Sequence, residues 1–463
     1  MDQAELVYSG AAAQAAMIAR REVSAREVVD ACLDRIDTYD RRLNAFKEVY
    51  ADEARSAADD ADRRAAQGDP SPLLGVPVAV KDDVAIAGRV TGHGTTATRR
   101  TAVVDSPVVR LLREAGAVVI GKTHLPELAI YGFTESRSYG ATRNPWDIRR
   151  TPGGSSGGSA AAVCAGMVGI ASASDGAGSI RIPAANCGLF GFKPSLGRTV
   201  GSGGWGGLSV QGALTRTVAD SAWYVDLIGA PGGEQVTPSV GRDPGPLRIG
   251  VSTSAMRVLG LRGKVDAETR DAVEQTARTL RDLGHEVRDL DLPMDSAARD
   301  FSLRYLRAIH DSAALVADRQ RLERRTRQLV RLGGVVPAPL VRRARSAGER
   351  EAGKLGKALH GIDLLLTPVT NRPPVKVGRW ARAGGLRTVL GMSRVYGFTA
   401  LWNHTGRPAA SVPAGRSRAG MPLAVQLVGR RDHDAEVIAV CAQLEQARPW
   451  ADLRPPLYGA GVS

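Results

Sequence analysis

The chain carries near its centre the stretch Val168-Gly-Ile-Ala-Ser-Ala-Ser-Asp-Gly-Ala-Gly-Ser179. Its first half, residues 168–173, is apolar enough to form a buried strand, and small residues follow. Small residues after a strand let successive backbone N–H groups turn toward one point, where they can hold an anion. The stretch therefore predicts a strand that delivers Ser179 to an anion-binding turn.

The same rhythm of helices and apolar strands extends outward in both directions. Further strands are predicted at 73–81, 117–120, 247–251, 286–290, 363–368 and 424–429. Helices are predicted at 24–46, 52–66, 106–115, 159–165, 266–283 and 434–446. Helices that alternate with apolar strands predict an α/β fold, in which helices cover both faces of a mixed, mostly parallel central sheet.

Composition places the chain among folded globular proteins. Of its 463 residues, 43% are hydrophobic and 24% are charged, as expected for a protein with a well-filled core. The sequence shows neither a membrane-spanning run of apolar residues nor a signal peptide. Its four cysteines form no Cys-x-x-Cys pair, which argues against a disulfide framework or a zinc site. We therefore expect a cytoplasmic protein without a membrane partner.

The net charge of +14 is concentrated in one segment. Residues 301–360 contain 14 Lys or Arg and 5 Asp or Glu. A basic segment can contact a phosphate-bearing partner, but this one lacks the interleaved aromatic residues and the motifs of nucleic-acid-binding proteins. We favour a solvated helical face and do not expect nucleic acid as a partner.

Two glycine-rich motifs match nucleotide sites without the context that those sites need. Gly116-Ala-Val-Val-Ile-Gly-Lys-Thr123 matches the P-loop pattern, but its variable positions are the apolar residues of a strand. Gly201-Ser-Gly-Gly-Trp-Gly206 matches the dinucleotide fingerprint, but it follows no apolar strand and opens no helix. We interpret both motifs as structural.

A third motif, Gly153-Gly-Ser155-Ser-Gly157, fits the nucleophile elbow of α/β-hydrolases. An elbow needs a strand immediately before its serine, and histidines do lie downstream in this chain. The residues before Ser155, however, are Arg149-Arg-Thr-Pro-Gly153, which favour a loop. We therefore predict that Ser155 lies in a turn.

The combination of three residues and their order along the chain are informative, namely Lys81, Ser155 and Ser179. Lys81 ends the strand Gly75-Val-Pro-Val-Ala-Val-Lys81, and the two serines follow in their glycine-rich stretches. With these motifs the chain resembles the amidase signature family, whose members hydrolyse amides with a Ser-Ser-Lys triad. Further matching motifs lie at 144–146, 191–198, 403–408 and 420–429, and the resemblance is weakest over 235–362.

The resemblance implies the amidase signature fold and a role for each member of the triad. Ser179 would be the nucleophile, and Lys81, kept neutral by burial, would be its base. Ser155 would relay the proton between them, because a hydroxyl group can both donate and accept. No metal and no organic cofactor are implied.

The resemblance also implies that the backbone N–H groups of Gly176, Ala177, Gly178 and Ser179 hold the oxyanion. The usual motif Thr-Asp-x-Gly-Gly-Ser is replaced here by Ser-Asp-Gly-Ala-Gly-Ser at 174–179. The replacement places Ala177 at a position that can need a positive φ, with a strain of about 1–3 kcal/mol if it does. We expect an active enzyme.

One domain, 1–463, follows from the resemblance. We expect N-terminal helices over 1–70, the amidase signature core over 71–230, a variable substrate-side region over 231–362 and a C-terminal return to the sheet over 363–463. The Gly- and Pro-rich segment 229–245 could be a linker or a surface loop. We favour the loop, because no change in composition follows it.

The function that the resemblance implies is hydrolysis of the C–N bond of a small-molecule carboxamide through an acyl-Ser179 intermediate, with release of ammonia or an amine. The alternative is the glutaminase subunit of a tRNA-dependent amidotransferase, which the basic segment favours. A catalytically inactive binding protein is a third hypothesis, against which the intact triad argues. The sequence leaves a homodimer and the identity of the amide open.

Two expectations concern the surroundings of the triad. The acyl pocket should be built by loops of the 235–362 region and by residues near Trp205, Tyr396 and Trp402. We expect Cys187 to be buried as a packing residue and not to act as a second nucleophile.

Overall fold

The computed structural model describes residues 2–98, 100–258, 262–292 and 297–456. The two ends of the predicted domain, residue 1 and residues 457–463, lie outside the described residues.

Thirteen strands are found among the described residues. They are β1 (Phe46–Val49), β2 (Pro77–Lys81), β3 (Val118–Thr123), β4 (Glu135–Ser136), β5 (Gly140–Ala141), β6 (Ile170–Asp175), β7 (Phe190–Lys193), β8 (Val210–Thr215), β9 (Arg248–Val251), β10 (Glu286–Asp289), β11 (Leu364–Pro368), β12 (Ala409–Arg416) and β13 (Pro422–Val428). All but the β4–β5 pair belong to one large sheet, in the order β1-β3-β2-β6-β8-β7-β12-β13-β11-β9-β10.

Helices flank this sheet, as predicted. They are α1 (Gln3–Tyr8), α2 (Ala11–Ala19), α3 (Ala25–Leu43), α4 (Ala51–Ala66), α5 (Pro107–Glu114), α6 (Gly157–Cys164), α7 (Arg181–Cys187), α8 (Gly204–Gly207), α9 (Val218–Leu227), α10 (Ala267–Asp282), α11 (Ala298–Ser312), α12 (Arg324–Gly334), α13 (Ala338–Ala358), α14 (Gly385–Ser393), α15 (Ala400–His404) and α16 (Asp434–Ala447). The chain forms a single-domain α/β fold. Among the described residues, no helix has the length and apolar character needed to cross a bilayer.

The large sheet is mixed, as predicted. Parallel pairs join β3, β2 and β6 on one side, and β11, β9 and β10 on the other. The strands between these groups pair antiparallel. The expected parallel pairing therefore describes these two groups. The centre is antiparallel, since β7–β8 and β12–β13 are consecutive in the chain and fold back on each other, and the edge strand β1 also pairs antiparallel with β3.

The opening helix shows how local sequence sets an element's limits. Ser24 accepts a hydrogen bond from the backbone N–H of Glu27, and the Glu27 side chain accepts one from the N–H of Ser24, so the predicted capping box is present. The helix ends at Leu43, three residues earlier than predicted, because Asn44 adopts a left-handed conformation and β1 begins at Phe46.

The P-loop-like motif is a strand, as predicted. β3 covers residues 118–123, and Gly121 lies against β1, where an added Cβ would be 2.4 Å from the carbonyl oxygen of Glu48. Close packing of two strands therefore explains this glycine. In the second motif, Trp205 and Gly206 have positive φ angles inside the short α8, which makes that segment a tight turn.

The basic segment forms α11, α12 and α13. Most of its arginines are exposed, as expected for a solvated helical face. Arg325 is an exception, because it is buried with its guanidinium group 4.7 Å from the ring centroid of Tyr131 and 5.0 Å from that of Phe133. Part of the basic excess thus stabilises the fold.

Gly158 offers a test of how closely the start of α6 packs against the end of β3. It lies at the start of α6, and an added Cβ would be 2.4 Å from the backbone nitrogen of His124. We expect Gly158→Ala to lower the free energy of unfolding by about 1–3 kcal/mol, as overpacking does. Urea unfolding followed by circular dichroism measures the effect.

Gly353→Ala is the matched control. Gly353 is helical, and its added Cβ would have no neighbour within 4 Å. This variant should be more stable than the wild type by roughly 0.5–1 kcal/mol. Equal effects of the two substitutions would contradict the packing explanation.

Candidate active site

The site begins where two parallel strands end. Lys81 is the last residue of β2, and Ser174 is the last but one residue of its neighbour β6. The carboxyl ends of parallel neighbours meet at one edge of a sheet, so the two side chains come together. The Lys81 side chain is fully buried, and its Nζ lies 2.8 Å from the Ser174 Oγ.

Ser155 approaches Lys81 from the loop that precedes α6. The Lys81 Nζ lies 2.8 Å from the Ser155 Oγ, and the serine is 1% exposed. The peptide bond between Gly154 and Ser155 is cis. An added Cβ at Gly154 would lie 2.6 Å from the carbonyl oxygen of Tyr131, so the loop packs too tightly there for a side chain. The predicted turn at Ser155 is thus present, with no preceding strand.

Ser179 lies in the turn between β6 and α7, at the wall of a cavity of about 570 Å³ that Ser155 also lines. The backbone N–H of Ser156 donates to the carbonyl oxygen of Ser179 at 3.4 Å, which ties the two serine-bearing segments together. Within the described residues, no hydrogen bond joins the hydroxyl groups of Ser155 and Ser179. The structure therefore brings all three predicted triad residues to one place, with a contact between Lys81 and Ser155.

Asp83 and Ser174 complete the surroundings of Lys81. The Asp83 Oδ2 lies 3.1 Å from the Lys81 Nζ, and the Ser174 hydroxyl donates to the same oxygen at 2.7 Å. Burial lowers the pKa of Lys81 from its ordinary value, while Asp83 and Asp175 act in the opposite direction. The lysine is thus held between a low-dielectric environment that favours the amine and a carboxylate that favours the ammonium.

Asp175 fixes the turn that carries Ser179. It is fully buried and accepts two hydrogen bonds from the Arg181 guanidinium group, both at 2.9 Å. Asn403 donates to its Oδ1 at 2.9 Å, and Arg181 donates to Gln426 at 2.7 Å. Burial alone would raise the pKa of Asp175, but Arg181 holds it well below its ordinary value. The motifs around residues 403 and 426 therefore support the active-site turn from a distant part of the chain.

Ala177 does not have the strained backbone that its position in the motif suggested. The positive φ, 120°, falls on Gly178, and Ala177 is absent from the residues with positive φ. An added Cβ at Gly178 would be 2.4 Å from the Thr399 Oγ1, so only glycine fits there. The Thr399 hydroxyl also donates to the carbonyl oxygen of Ala177 at 2.7 Å, which orients the turn.

The same turn restricts which N–H groups can face an oxyanion. The N–H of Gly178 donates to the Asp175 Oδ1 at 2.6 Å, so this predicted donor is already engaged. The N–H groups of Gly176, Ala177 and Ser179 have no acceptor among the described residues. Gly176, Ala177 and Ser179 line the cavity, which leaves three of the four expected donors near its wall.

The cavity walls are mostly apolar. Its lining comes from α11, α12 and α14 and from the turn at α8, and includes Phe301, Leu329, Val389 and Trp205. Trp205 and Tyr396 line it as expected, whereas Trp402 is buried outside it. The region 235–362 lines the pocket with the loop residue Met256, as expected, and in addition with the apolar faces of α11 and α12.

Two other expectations concern reactive groups near the site. Cys187 is buried in α7, and its thiol lies 3.6 Å from the carbonyl oxygen of Pro152, outside the cavity lining. Burial raises the pKa of this thiol, which makes it a poor nucleophile. Among the described residues, no group of three or more His, Cys, Asp or Glu side chains could hold a metal ion.

The amidase family model matches residues 27–438. This chain belongs to the amidase family. It is 44% identical to the "Putative amidase AmiB2" of Mycobacterium tuberculosis (strain ATCC 25618 / H37Rv) over 98% of this chain and 99% of that protein. It is 32% identical to a glutamyl-tRNA(Gln) amidotransferase subunit of Desulforapulum autotrophicum, over 97% of this chain and 98% of that one.

A solved structure of 6-aminohexanoate cyclic dimer hydrolase, complexed with substrate, is also similar. It superposes with a TM-score of 0.86 and 29% identity, over 97% of this chain and 99% of that one. The amidase fold inferred from the sequence is therefore confirmed over nearly the whole chain.

Sequence reasoning did not assign roles to Asp83 and Ser174, although both touch Lys81 in this amidase. A signal was available for Ser174, because the neighbouring parallel strands predicted at 73–81 and 168–173 would bring their carboxyl ends together. Asp83 follows Lys81 by two residues in a turn, where no periodicity predicts the direction of a side chain.

Arg181 provides a test of the buried network in this amidase. Arg181→Met removes the guanidinium group and leaves the Asp175 carboxylate buried without its ion pair, so we expect a loss of about 3–5 kcal/mol in the free energy of unfolding. Arg20→Met is the control, since Arg20 and its partner Glu22 are exposed and should change stability by less than about 0.5 kcal/mol. Urea unfolding that shows equal losses would contradict a structural role for the network.

Proposed function

We propose that this amidase hydrolyses amides through attack by the Ser179 hydroxyl, with Lys81 as the general base and Ser155 as the proton relay. The observation that carries the proposal is the 2.8 Å contact between Lys81 and Ser155 inside a fully buried site. A serine hydroxyl is a weak nucleophile unless a nearby base takes its proton. A lysine removed from water can be that base, because burial disfavours its charged form.

The proton would move in two connected steps. As the Ser179 Oγ bonds to the substrate carbonyl carbon, its proton passes to the Ser155 Oγ, and the Ser155 proton passes to the Lys81 Nζ. When the tetrahedral intermediate collapses, the C–N bond breaks and the same relay returns a proton to the leaving amine. Water then repeats the attack on the acyl-Ser179 ester and releases the carboxylate. The proton that leaves with the amine comes from Ser179, and the attacking water replaces it through the same relay, so the triad is regenerated after each turnover.

The oxyanion of the tetrahedral intermediate needs donors that are already in place. The N–H groups of Gly176, Ala177 and Ser179 are the candidates, because they lie at the cavity wall without an internal acceptor. Gly178 would act indirectly, since its own N–H binds Asp175 and so holds the turn in shape. Each lost donor of this kind typically costs about 2.7–4 kcal/mol of barrier.

The walls of the cavity indicate the class of substrate. Aromatic and aliphatic side chains from α11, α12 and α14 surround the space beside Ser179. A pocket with such walls gains binding energy by removing apolar surface from water. We propose small-molecule amides that carry an apolar or aromatic group next to the scissile bond.

The glutaminase alternative has less support. The chain is 32% identical to the amidotransferase subunit and 44% identical to the mycobacterial protein. An apolar pocket also suits glutamine poorly, since its side-chain amide and charged ends need polar partners. Turnover of simple amides that neither glutamine nor tRNA alters would favour the amidase.

Hydrolysis of the p-nitroanilide of an apolar acid, followed by absorbance, tests the triad. Ser179→Ala and Lys81→Ala should each lower kcat/KM by at least about 10³-fold, since each removes a member of a unit that acts together. Ser155→Ala should behave similarly, because the relay is interrupted.

Ser156→Ala is the control, as it removes the neighbouring hydroxyl, whose one hydrogen bond among the described residues is to the carbonyl oxygen of Ser174 at 3.4 Å. It should retain turnover. Circular dichroism and thermal unfolding establish that each variant is folded. Substantial turnover by folded Ser179→Ala would rule out the proposed nucleophile.

A further inference from the structure

Asp83 is a charged residue at the active site that the proposed reaction does not use. It lies in the turn just after β2, and its side chain lines the catalytic cavity. Its Oδ2 is 3.1 Å from the Lys81 Nζ and accepts the Ser174 hydroxyl at 2.7 Å. Its Oδ1 is buried and has no hydrogen-bond partner among the described residues. The carboxylate thus contacts Lys81 through one oxygen, and the Ser174 hydroxyl is its other hydrogen-bond donor among the described residues.

We propose that Asp83 is a positioning residue that controls the charge on Lys81 and thereby sets the pH range in which the amidase is active. The inference rests on the proposed function, because it takes Lys81 to be the base. Asp83, Ser174 and Ser155 all contact the Lys81 Nζ, and of these three partners only Asp83 carries a charge.

Among the carboxylates near Lys81, Asp83 has the largest effect on the charge of the lysine. Asp175, at the end of β6, also acts on the lysine, but its charge is balanced by the bidentate ion pair with Arg181. Asp82, which follows Lys81 directly, pairs with Lys122 at 3.0 Å and with Lys47 at 3.2 Å. Asp83 is therefore the carboxylate whose ion pair is with Lys81 itself.

The polar and charged groups near Asp83 favour its ionised form. Burial alone would raise the pKa of Asp83, but Lys81 and the Ser174 hydroxyl hold it below its ordinary value, with a smaller contribution from His93. Burial lowers the pKa of His93 itself, while Asp83 and Asp82 act in the opposite direction. Lys122 is paired with Asp82 at 3.0 Å. Asp83 is thus held in its ionised form as the partner of the Lys81 ammonium.

This carboxylate has opposite effects on two states of the enzyme. In the resting enzyme it favours the Lys81 ammonium, which cannot accept a proton, so activity begins only at a higher pH. In the transition state it stabilises the positive charge that develops on Lys81 as the proton arrives through Ser155. Removing the charge should therefore move the acid limb of the pH profile to lower pH and reduce the plateau rate.

The test is the rate of covalent labelling by a small fluorophosphonate as a function of pH, measured by intact mass. For the wild type the rate should rise from acid toward alkaline pH as Lys81 loses its proton. Asp83→Asn keeps an acceptor oxygen but removes the charge, and its acid limb should lie about 1–3 pH units lower, the range expected for loss of an adjacent opposite charge. Its plateau rate should also fall.

Two variants serve as comparisons. Asp83→Glu keeps the charge and should restore an acid limb close to that of the wild type. Asp363→Asn removes a carboxylate from the remote ion pair with Arg248 and should leave the profile unchanged. If Asp83→Asn does not fold by circular dichroism, Asp83→Ser replaces it as the uncharged variant.

The outcomes separate this inference from the proposed function. If the wild type is not labelled, or if Lys81→Ala is labelled at the wild-type rate, the proposed function fails and the inference falls with it. If labelling requires Lys81 but the uncharged Asp83 variant keeps the wild-type acid limb, only the role of Asp83 is overturned. Loss of labelling at every pH in a folded Asp83→Asn protein would overturn it as well, because the carboxylate would then do more than set a charge.

Discussion

The burial of the Lys81 side chain at the end of β2 is the constraint on which the rest of the site depends. A lysine removed from water is costly unless it gives up its proton or finds partners, and here Ser155, Ser174 and Asp83 surround its Nζ. Each partner comes from a different segment of the chain. The fold must therefore bring β2, the end of β6 and the loop before α6 to one edge of the sheet.

The second constraint is the buried ion pair between Asp175 and Arg181. It holds the turn that carries Ser179 and connects it through Asn403 and Gln426 to the C-terminal part of the sheet. Burying the polar groups of such a network costs desolvation free energy, which their hydrogen bonds and ion pairs offset. The network therefore tolerates little change, because every buried polar group needs its partner. This explains why motifs far apart in sequence belong to one site: they are parts of the same hydrogen-bonded support.

The strand and the turn that carry the site could be predicted from local patterns in the sequence, whereas the roles of Lys81, Ser155 and Ser179 follow from the resemblance to the amidase family. A strand that ends in Lys81, and small residues before Ser179, are patterns that periodicity and glycine content make visible. The capping box at Ser24 is equally local. The context of the P-loop-like motif likewise predicted the strand that is found there, β3.

Other features depend on tertiary contacts that no local pattern contains. The engagement of the Gly178 N–H by Asp175, and the ordinary backbone of Ala177, follow from the turn as a whole. Helices α11 and α12 supply part of the pocket wall in addition to the expected loop, and they lie where the sequence resembles the family least. Antiparallel pairing at the centre of the sheet likewise depends on which strands become neighbours after folding.

Peptide mapping of the fluorophosphonate adduct tests the central role of Lys81 and Ser179 most directly. An adduct on Ser179 in the wild-type protein that is absent from folded Lys81→Ala is the predicted result. An adduct on Ser155, or one on Ser179 that forms equally well without Lys81, would contradict the assignment of nucleophile and base.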